Sequence, residues 1–211
     1  MNKLKSAAVL PLMSLAIWLA CIAIWPSLKY AWYDIKTLEA RKQVQSWLSQ
    51  PQQPLDLAQW IKTRDILEKA SIACPDIAQY HTDLARLQVL RGLKAANFKL
   101  VRDVFYQEAI NQYRAALQVQ PNNGSNMANI VQFKAYLNQH DAEFEQLLIR
   151  SSQLNPYEPD SQLAILNAGF QNWDKLSVTI RQQMGQVYKQ AMLQQKDNVL
   201  KLKASYPDLN V

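Results

Sequence analysis

Between Lys5 and Lys29 the chain carries no charged side chain, and from Ser6 to Trp25 it is almost unbroken apolar sequence. A helix of about twenty such residues matches the thickness of a bilayer's hydrocarbon core. Lys3 and Lys5 precede the run, and Trp25, Tyr30, Trp32 and Tyr33 gather at its far end, where amphipathic rings settle at a membrane surface. A cleaved signal peptide is shorter and ends in small residues; this run ends Ile24-Trp25-Pro26. Lipid attachment at Cys21 needs a suitable residue three places upstream, and that residue is Trp18. The reading is an uncleaved single-pass anchor over residues 1–28, with the amino terminus inside and the bulk of the chain outside the cytoplasm.

Residues 29–54 are charged and helix-friendly until Gln50-Pro51-Gln52-Gln53-Pro54 breaks them; they are expected to be a juxtamembrane helix and linker. A coiled-coil contact here is the lesser reading, because the heptad pattern lasts few turns. Residues 55–211 then form the domain. Only 4 of the 211 residues are glycine, a composition that suits helices and disfavours turn-rich β folds. The net charge of +6 is spread along the chain. Without a clustered basic stripe, no nucleic-acid partner is expected. Cys21 and Cys74 lie too far apart in setting to suggest a bridge.

One segment sets the fold within that domain. In Phe105 to Pro121, FYQEAINQYRAALQVQP, the small Ala109, the aromatic Tyr113 and the small Ala116 share a helical face, and Pro121 ends the helix. Small residues let helices approach, the aromatic fills the gap between hairpins, and proline stops the turn. The same four-then-three spacing recurs at Thr63, Leu67 and Ala70 before Pro75, at Phe144, Leu148 and Ser151 before Pro156, and at Met184, Tyr188 and Ala191. Pro121 to Pro156 is one tetratricopeptide-like period; Pro75 to Pro121 is longer, so an insertion is placed around Lys94 to Arg102. Helices are expected near 56–73, 77–94, 103–119, 125–138, 141–153, 159–171 and 177–195, with Ser177 as an N-cap. The fold class is all-α: an N-terminal transmembrane helix followed by a tetratricopeptide-like hairpin repeat domain.

Chemistry-bearing patterns are sparse. His81 and His140 have no second ligand at metal spacing, and there is no phosphate loop, nucleophile elbow or Cys-x-x-Cys. Asp65 with Glu68, and Asp141 with Glu145, read as solvated helix surface. No enzyme activity, cofactor or metal is therefore expected. Binding is expected on the concave side that stacked hairpins leave, through Asn129, Gln132 and Tyr136 in one unit and Asn167 and Phe170 in the next. Amides with aromatics suit a peptide or a sugar.

The stretch Asn155-Pro156-Tyr157-Glu158-Pro159, Gln162-Leu163, Gly169-Phe170-Gln171-Asn172-Trp173-Asp174-Lys175-Leu176 and Arg181 resembles the small membrane-anchored proteins of exopolysaccharide gene clusters, of the VpsP type. Similar segments occur in tetratricopeptide tails of O-antigen-ligase-like proteins. His81 to Leu87 and Tyr113 to Ala116 continue the likeness, although Ala85 stands where a glycine is common. The likeness spans about residues 60–200. It implies a role in making, polymerising or exporting a surface polysaccharide, in a bacterial inner membrane with a periplasmic domain. The implied partners are the membrane, proteins of the synthesis or export complex, and the glycan itself. It supplies no catalytic residues. Its pieces read as architecture: Pro156 and Pro159 fix a turn, Gly169 allows close packing, and Trp173 with Leu176 plugs the last hairpin. Two rivals are a general envelope scaffold that binds peptides, in cell division or cytochrome maturation, and a glycan-acting enzyme.

Overall fold

The computed structural model describes the backbone of residues 2–207 and 209, and the side chains of Trp18, Ile22, Ile24, Trp25 and nearly everything from Ser27 onward. Eight α-helices and no strand are present among the described residues: α1 (Asn2–Ser49), α2 (Leu57–Ala73), α3 (Ala78–Lys94), α4 (Lys99–Val119), α5 (Gly124–Tyr136), α6 (Ala142–Leu154), α7 (Pro159–Gln171) and α8 (Val178–Ala204). A short 3-10 turn, Trp173–Lys175, joins the last two. Among the described residues no helix is long and apolar enough to cross a membrane. Most side chains of Ser6 to Trp25, on which the anchor expectation rests, lie outside the described residues.

The helix starts are set by side chains that accept orphan backbone N–H groups. Asp56 accepts from Ala58 at 2.9 Å, Asn123 from Asn126 at 3.0 Å, Asp141 from Phe144 at 2.9 Å, and Ser177 from Ile180 at 3.4 Å. Pro159 occupies the first turn of α7, where its missing N–H costs nothing.

Consecutive helices pack as hairpins, α3 on α4, α5 on α6 and α7 on α8, with α5 also lying along α7. The four-then-three positions all face inward. Thr63, Leu67, Ala70, Ala109, Tyr113, Ala116, Phe144, Leu148, Ser151, Met184 and Ala191 are buried, and Tyr188 is partly buried against the same core. Pro121, Pro156 and Pro159 stand exposed at the turns.

Four expectations need correction. Residues 29–54 are a helix and a linker, as expected, but they are not separate from the domain. The helix that begins at Asn2 runs unbroken to Ser49, and its second half docks on α2 and α3. Tyr30, Tyr33, Thr37, Ala40, Val44 and Trp47 recur every three or four residues and pack with Trp60, Leu67, Tyr80, Leu84 and Leu87. That half of α1 is the missing first helix of the opening hairpin. The insertion is not confined to Lys94 to Arg102. Four residues make the turn, and the extra length is shared by α3, with 17 residues, and α4, with 21, against 13 in each of α5 and α6. The last helix continues nine residues past 195, through a kink at Gln195 (φ −147°, ψ 51°). Two amides hold the kink: Gln195 Nε2 donates to Pro159 O at 2.8 Å and to Oε1 of the buried Gln162 at 2.9 Å. Finally, Trp173 is only half-buried and Leu176 is the real plug. The Trp173 ring lies on Phe170 at 6.4 Å and under Arg181 at 5.9 Å.

Gly92 shows how tightly the longest hairpin closes. A Cβ there would stand 2.3 Å from Cε1 of Tyr106 and 2.6 Å from its Cδ1. The ring is buried against Phe133 and Tyr136 and has nowhere to move. Gly92→Ala is therefore expected to destabilise the protein by about 1–3 kcal/mol through overpacking, despite a helix-propensity gain of about 1 kcal/mol. Thermal melts of the two proteins measure it. Gly169 is more tolerant, because its added Cβ would meet the flexible end of Met184, Cε at 2.7 Å.

Candidate functional site

The first helix of each hairpin turns one side toward a shared groove. One open hollow of 480 Å³ is lined by Gln45 and Ser49 of α1, Arg86 and Val89 of α3, Asn129, Gln132 and Tyr136 of α5, and Asp160 and Ser161 of α7. A second, of 530 Å³, adjoins it through Gln132, Tyr136 and Asp160 and adds Asn167, Asn198 and Lys201. The kink at Gln195 carries Asn198 and Lys201 to that end, so α1 bounds the groove on one side and the end of α8 on the other.

Four of the five expected binding residues are thus brought together, and three form one hydrogen-bond chain. Tyr136 Oη accepts from Gln132 Nε2 at 3.2 Å and from Asn167 Nδ2 at 3.0 Å. Asn167 Oδ1 in turn accepts from Tyr206 Oη at 2.8 Å. These contacts fix the rotamers before any partner arrives, which lowers the entropy cost of binding. Phe170 is a correction: it is 3% exposed and packs on Tyr188 and Tyr206 in the core. It lies one turn from Asn167 on α7, but on the side that meets α8.

The groove is nearly neutral, since its lining carries Arg86 and Lys201 as well as Glu158 and Asp160. Amides and hydroxyls do most of the lining, with Tyr136 as the half-exposed aromatic. Gln45 and Ser49 escape sequence reasoning because residues 29–54 read as a juxtamembrane helix and linker outside the domain, and nothing in the sequence singles out Arg86. Among the described residues no three His, Cys, Asp or Glu side chains converge on a metal position. His81 Nδ1 meets Gln112 Oε1 at 2.9 Å, and His140 Nε2 meets Glu145 Oε1 at 3.1 Å.

No family model matches the chain. Nor does any curated protein match its sequence significantly. What the groove can do therefore follows from its own chemistry.

Two buried charges were invisible in the sequence. Lys134 is fully buried, and its Nζ donates to Asp141 Oδ2 at 2.7 Å and Glu143 Oε2 at 2.6 Å. Arg114 clamps the same Glu143 through two bonds, at 2.9 and 2.6 Å. The Arg114 bonds first, then Lys134, hold the Glu143 carboxyl down at about 2. The cluster ties α4, α5 and α6 together. Asp141 is exposed, as expected of helix surface, and also serves as a helix cap and an ion-pair partner. Asp83 is buried between α3 and α1, with Gln79 donating at 2.9 Å, Arg86 at 3.2 Å and Arg41 within 3.5 Å. Burial pushes its carboxyl above the usual range against those partners.

Proposed function

We propose that this protein is a non-catalytic accessory of surface-polysaccharide synthesis, polymerisation or export, built of tetratricopeptide-like hairpins. In this reading the run Ser6 to Trp25 anchors it in a bacterial inner membrane with the helical domain in the periplasm. The groove holds an extended segment of a partner. The observation that supports a holding role is the preset chain Gln132–Tyr136–Asn167, lying in a neutral channel that crosses α3, α5 and α7. Amide donors and acceptors held in fixed directions recognise an extended polar polymer. The stretch Asn155 to Arg181, which resembles exopolysaccharide accessory proteins, points to a partner within that machinery. The bound segment is then a peptide of the synthesis complex or the glycan it makes.

The test is made in the host cell with the full-length protein. Deleting the gene is expected to reduce or alter secreted polysaccharide and leave sugar-nucleotide pools intact. Asn129→Ala with Asn167→Ala should reproduce most of that loss, without lowering the melting temperature by more than a few degrees. Single alanine changes at the exposed Glu39, Asp174 and Asp197 should leave output near normal. Loss of output from one such carboxylate, in a folded protein, would move the reading to an enzyme. Normal polysaccharide with a division or cytochrome defect would move it to a general envelope scaffold.

A further inference from the structure

Helix α1 carries a second seam that, among the described residues, no other helix covers; only Lys36, one turn on, lies over the Trp32 ring at 4.6 Å. Trp18, Trp25 and Trp32 repeat at intervals of seven residues. Leu28 and Ile35 fall between them at coiled-coil spacing, and Cys21 holds the equivalent earlier position in the sequence. Trp18 is 62% exposed, Trp25 72%, Leu28 59%, Trp32 57% and Ile35 68%. The docking residues Tyr30, Tyr33, Thr37 and Ala40 lie roughly 140° away round the helix. In heptad terms the domain hangs on the outer positions and leaves the two seam positions open.

We infer that this seam joins two copies of the chain through a parallel pairing of their α1 helices. The inference uses the anchor of the proposed function but not its role in polysaccharide. Lipid alone does not account for the seam. Trp18 sits about 10 Å further along the helix than Trp25, deep in the anchor, away from the surface level that tryptophan prefers. At the other end, Ile35 lies about 15 Å beyond Trp25, past Lys29, where acyl chains do not reach. A second copy fits both ends. One anchor sequence inserts one way, so two copies present the same seam in parallel and in register. The flanking positions that would meet across such a pair bring Ile24 opposite Lys29 and Ala31 opposite Lys36, with no like charges opposed. Tyr30, Tyr33, Thr37 and Ala40, on which each domain docks, lie on the far sides of such a pair.

Disulfide trapping tests the pairing in the full-length protein, in isolated native membranes. Cys74 is buried, so a Cys21→Ala background leaves no accessible thiol on the domain. In that background Leu28→Cys and Ile35→Cys are expected to give a band at twice the monomer mass on mild oxidation. Ser27→Cys and Asp34→Cys, on an exposed flank, should not. Adding Trp25→Ala and Trp32→Ala should lower the trapped fraction about tenfold, with helical content unchanged. A carbonate-resistant protein that traps equally on both faces, or on neither, overturns the pairing and leaves the anchor standing. A trapped product of any other mass assigns the seam to a different membrane helix and also overturns it. Seam-specific dimers in a protein that carbonate releases would uphold the pairing and overturn the anchor.

Discussion

A fragment that begins at Leu55, where the sequence alone places the start of the domain, is expected to be unfolded or aggregated, while one that begins at Ser27 folds. The difference is the docking half of α1. Val44, Ala40 and Trp47 are buried, and Tyr30 and Tyr33 partly so, against Trp60, Leu67, Tyr80 and Leu84. Full burial of a large apolar side chain is worth about 1.5–3 kcal/mol. Losing Val44, Trp47 and parts of two tyrosines therefore removes on the order of 5 kcal/mol, comparable to the whole stability of an ordinary domain, about 5–15 kcal/mol. The cut also strands polar groups. Tyr30 Oη donates to Asp76 at 2.7 Å, and the buried Asp83 loses Arg41. Circular dichroism, gel filtration and a thermal melt of residues 27–211 beside residues 55–211 decide it. A monomeric, cooperatively melting 55–211 fragment would show that α1 is an appendage after all.

In the membrane-anchored reading proposed above, the same observation changes what the anchor would do. Because α1 is continuous, no flexible linker separates the apolar run from the helical domain. The 24 residues from Pro26 to Ser49 span about 36 Å as helix, and the groove is built partly on that span through Gln45 and Ser49. A tether of loose chain would only raise the partner's local concentration. In that reading, a helix shared between anchor and groove would also set the groove's distance from the membrane.

The spacing of small and large residues was enough to place the second helix of every hairpin. Ala109, Tyr113 and Ala116 could face nowhere but inward, since a small–aromatic–small face has no use in water, and the prolines and caps marked the ends. The first helices were harder. The docking seam of α1 includes Thr37 and Ala40 and is interleaved with Lys36, Arg41, Lys42 and Gln45. Its apolar content is too low to announce burial, which tertiary packing decides. Phe170 and Asn167 sit one turn apart, and pattern alone does not say which of them looks into the groove. Lys134 lies among Ile130, Val131, Phe133 and Ala135; a lysine in such company is read as a snorkelling surface residue unless carboxylates seven and nine residues later are known to fold back on it.

Removing both of those carboxylates is expected to produce the largest loss from side-chain changes at one site. Asp141→Ala with Glu143→Ala leaves the Lys134 ammonium in a position 1% exposed to solvent. A buried charge stripped of its partners costs about 3–5 kcal/mol. Lys134→Met should be close to neutral. It removes the buried charge and keeps the packing, and Asp141 and Glu143 retain solvent and, for Glu143, Arg114. The contrast separates an electrostatic role from simple filling of space, in which case Lys134→Met and the double variant would cost alike. Acid titration reads the same cluster. Glu143 titrates at about 2 in the folded protein, against an ordinary glutamate near 4.3. Its folded value is the lower, so the unfolded chain takes up the proton first. The stabilisation is complete above about pH 5, where both states are ionised, and is lost as pH falls from about 4.5 towards 2. Asp141, held low by Lys134 and the Phe144 N–H although burial opposes them, adds in the same direction. Melting temperatures taken from pH 7 down to pH 2 should stay level and then drop across that window. Glu143→Gln should flatten the drop. An equally steep acid transition in Glu143→Gln would place the responsible carboxylate elsewhere.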